Sequence, residues 1–178
     1  MTNAKKSSAR ITFINALTEL LQRKAFHKIS VNELCENANL SRSSFYANFQ
    51  DKYHLLSCCL ENISKELDTQ IAMNPSKDIL IFTLDSIQKN SNFFYNAFGA
   101  KIDEEVTQIV HHFFNKHMLS FLNHQIADGR TLPGPIEMVS SFYVGGILSS
   151  ILTWIQSGYE ISKEELASCQ LNLLKDIL

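Results

Sequence analysis

Residues 30–52 read Ser30-Val-Asn-Glu-Leu-Cys-Glu-Asn-Ala-Asn-Leu-Ser-Arg-Ser-Ser-Phe-Tyr-Ala-Asn-Phe-Gln-Asp-Lys52. Two helix starts and one tight turn are written into this stretch. Ser30 and Glu33 have the spacing of a capping box, in which the hydroxyl takes the Glu33 amide and the carboxylate reaches back. Ile29 and Leu34 flank the box at staple spacing. A short helix follows to about Asn37. Ala38-Asn39-Leu40 then makes the turn, and Asn39 is the best non-glycine residue for a left-handed position. Ser41 caps another short helix, with Leu40 and Phe45 again at staple spacing. Two short helices around a three-residue turn have the spacing of a helix-turn-helix.

The charges sharpen that reading. Between Asn37 and Gln50 the only charged residue is Arg42, in the first turn of the second short helix. A cation there opposes the helix dipole by about a few tenths of a kcal/mol. Lys52 repeats the anomaly at the start of the next helix. A nearby phosphate would turn both costs into contacts; two solvated side chains are the plain alternative. The same short helix is expected to expose Ser43, Ser44, Tyr46, Ala47 and Asn48. All are small or hydrogen-bonding, as major-groove edges require, and none is a carboxylate. Phe45 and Phe49, four apart, should anchor the helix to its own core.

On either side, apolar residues recur at three and four and Gly and Pro are sparse, so the chain reads as all helical. Ile11, Ile14, Leu17, Leu20 and Leu21 mark a first helix over about 7–24. Asp51 caps a fourth helix striped by Leu56, Cys59, Leu60, Ile63, Leu67 and Ile71. Its twenty or so residues give roughly 30 Å, enough to leave one domain and enter another. Helices over about 76–90, 93–98, 103–127 and 135–157 follow. Ser162 and Glu165 form a second capping box at the start of a last helix. The expected architecture is all-α: a three-helix head with a helix-turn-helix over residues 1–54, and a helical body over 55–178, about nine helices in all.

Composition bounds the rest. The 178 residues are 45% hydrophobic and 19% charged, which excludes a disordered chain; three Pro and six Gly disfavour an all-β one. The first 54 residues hold eight Lys/Arg against four Asp/Glu, and the remaining 124 hold eight against fourteen. A basic head on an acidic body points to local anion contact. Four cysteines without C-x-x-C spacing, and a start without an apolar export segment, fit reduced thiols in a cytoplasmic protein. Met138 to Tyr159 carries no charge and is long enough to span a bilayer, but its Ser, Thr and Gln residues gather on one side of a helical wheel, as in a helix buried within a protein. No membrane partner is expected.

Residues 10–56 resemble the TetR family of bacterial transcriptional regulators. The likeness rests on Ile11, the Ala16-Leu17 pair, Lys24-Ala-Phe-His-Lys-Ile-Ser-Val31, and Leu34 through Leu56. Within the last stretch, Phe45-Tyr46, Phe49, and Lys52 before Leu55-Leu56 reproduce the family's order. Departures are Ala25 and Asn39 where the family usually has Gly, Ser43-Ser44 for a common Gly-Thr, and Ala47 for a larger residue. The resemblance implies a homodimer on a double-stranded DNA operator, with the third helix in the major groove. It also implies phosphate contacts from Lys5, Lys6, Ser30, Arg42, Ser44, Tyr46 and Lys52. The stretch from Phe142 through Trp154 to Gly158 is similar to a short subgroup of that family, which includes DhaS-type regulators of dihydroxyacetone metabolism, some of them working with a protein coactivator.

In the body, Val106, Val110, Phe113, His117, Phe121 and His124 fall on one face of the long helix. Two readings stand side by side: a pair of core or interface histidines, or an effector pocket walled by Phe93, Phe94, Phe98, Phe113 and Phe121 with His117 and His124 as polar handles. No carboxylate or Cys joins the histidines at ligand spacing, so neither a metal nor a cofactor is expected. Ser141, Gly145, Ser149 and Thr153, spaced by four, form a ridge of small side chains suited to close approach of a second helix across a dimer interface. The phosphate-loop, dinucleotide and zinc-protease motifs are missing, which speaks against an enzyme. The leading expectation is therefore a repressor released from its operator by an unidentified small-molecule effector. The alternative is a DNA-binding regulator whose body docks a protein coactivator.

Overall fold

The computed structural model describes the backbone of residues 3–73, 79–99 and 104–174, and the side chains of 8–65, 80–99 and 104–173. Every regular element among them is helical. α1 (Asn3–Leu21), α2 (Val31–Ala38) and α3 (Arg42–Tyr46) form the head, with a 3₁₀ turn over Phe26–Lys28 between the first two. α4 (Lys52–Met73) leaves the head for the body. There it meets α5 (Ile79–Lys89), α6 (Ser91–Phe94) with the π turn Tyr95–Gly99, α7 (Glu104–Ala127), α8 (Ile136–Gln156) and α9 (Lys163–Leu174).

The head's core is aromatic. Phe13 of α1 meets Phe45 edge-on at 5.2 Å and Phe49 at 6.0 Å, and all three rings are buried. Leu17, Leu34, Leu55 and Leu56 fill the space around them without exposure. Asn39 takes the left-handed conformation (φ 50°, ψ 41°), and the Leu40 amide reaches back to the Cys35 carbonyl at 3.0 Å, which closes α2 and turns the chain. Asp51 caps α4 by accepting from the His54 amide at 2.8 Å.

The two expected capping boxes differ. At α9 both halves form: Glu165 donates its amide to Ser162 Oγ (3.1 Å), and its carboxylate takes the Ser162 amide (2.9 Å). At α2 Ser30 takes the Glu33 amide at 3.2 Å, but the Glu33 carboxylate turns to the Lys24 ammonium, at 2.7 and 2.8 Å. A full charge within reach outcompetes a backbone N–H, so the box becomes a tie between the end of α1 and α2.

The apolar α8 has the length and composition of a membrane span. Its Val144, Leu148, Ile151, Trp154 and Ile155 are buried in the chain's own core. Its most extensive packing is against α7. α9 is fixed to α5 by the Lys163–Asp85 ion pair, and Asp85 also receives Lys89 at 2.6 Å. These ammonium groups, by direct hydrogen bonds, hold the Asp85 carboxyl below its ordinary range. Cys35, Cys58 and Cys59 are buried thiols, and burial pushes Cys59 up to about 12.

Candidate nucleic-acid interface and body cavity

The exposed face of the helix-turn-helix is built from two short helices and their caps. Ser41 Oγ accepts from the Ser44 amide (3.2 Å) and shares a hydrogen bond with Ser43 Oγ (2.9 Å), which fixes the start of α3. With Phe45 driven into the core, Arg42, Ser43, Tyr46 and Ala47 are exposed on the other side of the same helix. The Arg42 guanidinium bonds Asn32 Oδ1 of α2 and lies 5.7 Å over the Tyr46 ring. These contacts hold it across the outer surface of the motif. Asn32 is exposed and joins this face. The sequence reading passed over it, because an Asn inside a capping box looks like a cap residue.

Other expected DNA contacts stand differently. Ser30 is exposed and its hydroxyl serves as the cap of α2, while Ser44 is half-buried. The side chains of Lys5 and Lys6 lie outside the described residues.

One expectation needs correction, and one residue has partners that the sequence did not show. Asn48 was expected on the exposed face of the third helix. It is buried past the end of α3, and its amide donates to the Ser44 carbonyl at 2.8 Å. The helix stops after five residues, so the next turn bends back into the core instead of continuing the exposed stripe. Lys52 was expected at a phosphate. Its ammonium points inward, donating to the carbonyls of Ile29 (3.0 Å), Phe26 (3.1 Å) and His27 (3.5 Å), above the Phe26 ring. The 3₁₀ turn aims these carbonyls at one point, and a lysine reaches it from the start of α4.

Arg10 is a further residue that the sequence did not announce. It bonds the Asn48 carbonyl (3.3 Å) and Cys58 Sγ (2.7 Å), and its guanidinium lies 5.1 Å over the Phe49 ring. It thus joins α1, the exit of α3 and α4, and fixes the angle at which the head presents α3.

The body holds a small apolar cavity of about 50 Å³. Leu60 and Ile63 of α4 form one wall, and α5, the aromatic turn, α7 and α8 form the others. Phe94, Phe98 and Phe113 line it as expected from the sequence, together with Phe114, Thr83 and Ser86. His117, Phe121 and His124 are outside its lining and exposed. His117 Nε2 is 3.2 Å from Ser64 Oγ of α4, and its ring abuts Phe113 at 4.8 Å. The inward face of α7 is rotated toward Val106, Val110 and Leu122, leaving the histidine stripe at its margin. Thr83 and Ser86 are the polar residues of the lining among the described residues, although the surface they present to the cavity is apolar. They escaped the sequence reading because α5 carries no motif.

The turn between Asn90 and Gly99 is tightly seated. A Cβ on Gly99 would stand 2.9 Å from the Tyr95 ring and 3.1 Å from Ile155 Cγ2, so only glycine closes the turn against α8. Phe94, at the end of α6, and Phe98, within the π turn, both reach the cavity.

Ser141, Gly145, Ser149 and Thr153 are exposed in the single chain, and a Cβ built on Gly145 meets nothing within 4 Å. Met138 (66% exposed) and Phe142 (75%) continue the same side of α8, and Leu173 of α9 is 73% exposed. Among the described residues no cluster of three or more His, Cys, Asp or Glu could hold a metal ion.

Comparison with known proteins agrees with this geometry. A family model described as bacterial regulatory proteins, tetR family, matches residues 13–58. A second, described as a transcriptional regulator C-terminal region, matches residues 74–176. The HTH-type dhaKLM operon transcriptional activator DhaS of Lactococcus lactis subsp. lactis (strain IL1403) is 32% identical over 103 residues, 54% of this chain. That alignment spans 52% of the relative, so the chain matches about half its length. The solved dihydroxyacetone kinase operon activator DhaS superposes with a TM-score of 0.64 at 23% identity, covering 94% of each chain. A TetR transcriptional regulator from Streptococcus agalactiae 2603V gives 0.66 at 16% identity, covering 97% of this chain and 96% of the other. RolR in complex with the ligand resorcinol gives 0.59 at 16%, covering 97% and 90%.

Proposed function

The chain belongs to the TetR family of bacterial regulatory proteins, and from that premise we propose that it is a repressor released from its operator by a small molecule bound in the body cavity. It is a DNA-binding transcriptional regulator; the sign of regulation, the effector and the assembly are our reading. The observation that carries it is the double role of α4. One end of this helix begins beside α3, and Leu60 and Ile63 further along form a wall of the cavity. A ligand that fits one setting of α4 better than another therefore shifts the head between DNA-competent and displaced forms. That RolR is found with a bound small ligand supports the same reading for a like-folded chain.

The working unit is a homodimer, since one helix-turn-helix reads only half of a two-fold operator. The exposed ridge of α8, with Met138, Phe142 and Leu173 around it, is the surface we assign to the second copy. We assign Ser43 and Ala47 to base edges and Arg42, Tyr46 and Ser30 to the DNA backbone, with Lys5 and Lys6 on the amino-terminal arm. The protein acts in the cytoplasm and carries out no catalysis. The protein-coactivator reading draws on the DhaS relative, named an activator; the cavity favours the small-molecule one.

The test has two steps. Selection from random duplexes gives the operator. Fluorescence anisotropy on that operator, with a panel of small neutral and charged compounds, then looks for release. Saturable release by a compound that no longer acts on a cavity-filling variant supports the reading. Operator binding that changes only on adding a second protein rejects it.

A further inference from the structure

We propose that the cavity selects a neutral, hydrocarbon-rich molecule and rejects carboxylates, phosphates and ammonium compounds. This rests on the cavity being the effector site and adds the chemical class of its ligand. Among the described residues no lining side chain is ionisable; Thr83 and Ser86 are the only polar residues in the wall, and the surface that the wall presents is wholly apolar. Two polar side chains close in sequence to lining residues are engaged elsewhere. Asp85 lies between the two hydroxyl residues in sequence, yet its carboxylate is held by Lys163 and Lys89. His117, one turn beyond Phe113, is bonded to Ser64 and lies outside the lining.

An ionised ligand group inside would lose its water and gain no counter-charge, a cost that hydrocarbon contacts cannot offset. A hydrocarbon chain or ring gains burial on every side. The rings of Phe94, Phe98, Phe113 and Phe114 supply faces and edges for a flat molecule.

The test uses the purified full chain and N-phenyl-1-naphthylamine, a neutral probe that fluoresces in apolar surroundings. At pH 8 the probe should bind saturably. 1-Octanol should displace it at least a hundredfold more effectively than octanoate, which has the same chain length and a full charge. Leu152→Trp, which places an indole in the cavity, should abolish probe binding; Ile63→Trp is the second variant should the first not fold. Equal competition by octanoate, or a competition that disappears only in His117→Gln, overturns the proposal. So does the absence of saturable probe binding to folded protein. Binding as described together with an operator complex that no neutral compound releases supports the ligand class and rejects the cavity as the switch. The two readings therefore fail separately.

Discussion

The side-chain amide of Asn96 donates to the carbonyl of Leu21 at 2.9 Å. Leu21 is the last residue of α1, and Asn96 stands in the π turn between Phe94 and Phe98, which line the cavity. The turn that would feel a ligand is thus bonded directly to the head. This is a further connection beside α4, and it adds to the packing of α6 on α1 and of the π turn on the 3₁₀ turn.

Asn96→Leu should remove this bond, a loss of about 1 kcal/mol, while leaving the aromatic wall in place. Probe binding in the cavity should stay within about twofold of the parent. Operator release should need more ligand, because occupancy loses this bonded path to the head. Paired titrations of probe fluorescence and operator anisotropy measure both; parallel shifts in the two would show that the bond carries no coupling.

Lys52 and Arg42 looked alike in sequence, and the structure separates them. Lys52→Met removes an ammonium bonded to three carbonyls and should cost about 1–3 kcal/mol of stability, with the salt dependence of DNA binding unchanged. Arg42→Ala should leave the unfolding temperature nearly as it was and reduce the salt slope by about one. Thermal melts and binding at several salt concentrations decide between them. A reduced slope for the folded Lys52→Met protein would return that lysine to the DNA.

What the sequence disclosed, and what it hid, follows from the reach of its signals. Ser41 and Asn39 act through neighbours within five residues, so their roles in cap and turn were legible, and Phe45 was legible as an anchor through its spacing from Phe49. The partners of Lys52 and Arg10 lie 23 to 48 residues away, and no local pattern announces them. The ring of Phe113 and the imidazole of His117 share a helical stripe, yet only the first lines the cavity. A wheel fixes which residues share a face, and the packing of α4 and α8 fixes where the buried part of that face ends. Asn48 misled for a related reason: the wheel assumes a helix that continues, and α3 stops at Tyr46.

Asn39 offers a clean test of the turn. Its φ of 50° is one that glycine adopts without strain and alanine does not. Asn39→Gly should therefore keep stability within about 0.5 kcal/mol, and Asn39→Ala should lose about 1–2 kcal/mol. Denaturant midpoints report both, and equal midpoints would mean that the left-handed turn is not required in solution.

Asp85 predicts a pH dependence. Its folded pKa is lowered, chiefly by hydrogen bonds from Lys163 and Lys89, so its contribution is present above the unfolded carboxylate pKa. That contribution fades as pH falls through the lower folded value. Asp85→Asn should melt roughly 2 °C below the parent at pH 7, and the two curves should converge in acid. A gap that persists undiminished below the carboxylate range would show that the loss comes from packing and not from the ion pairs.

The exposed ridge on α8 gives the prediction on which the assembly stands. Nothing within 4 Å of Gly145 opposes a larger side chain in the single chain, and Ser149 faces outward one turn along. Gly145→Leu should therefore be tolerated by the protomer, and replacing a mid-helix glycine adds about 0.5–1 kcal/mol of helix stability. The same leucine would stand between two helices that approach along the small-residue ridge. An isologous contact places the change on both sides of the axis, so each substitution acts twice. Gly145→Leu and Ser149→Leu should sediment as folded monomers with the parent's helical circular dichroism. Both should lose operator binding, although α2 and α3 are untouched. Variants that remain fully dimeric would move the interface away from this ridge, and monomers that bind the operator as tightly as the parent would remove the need for a dimer.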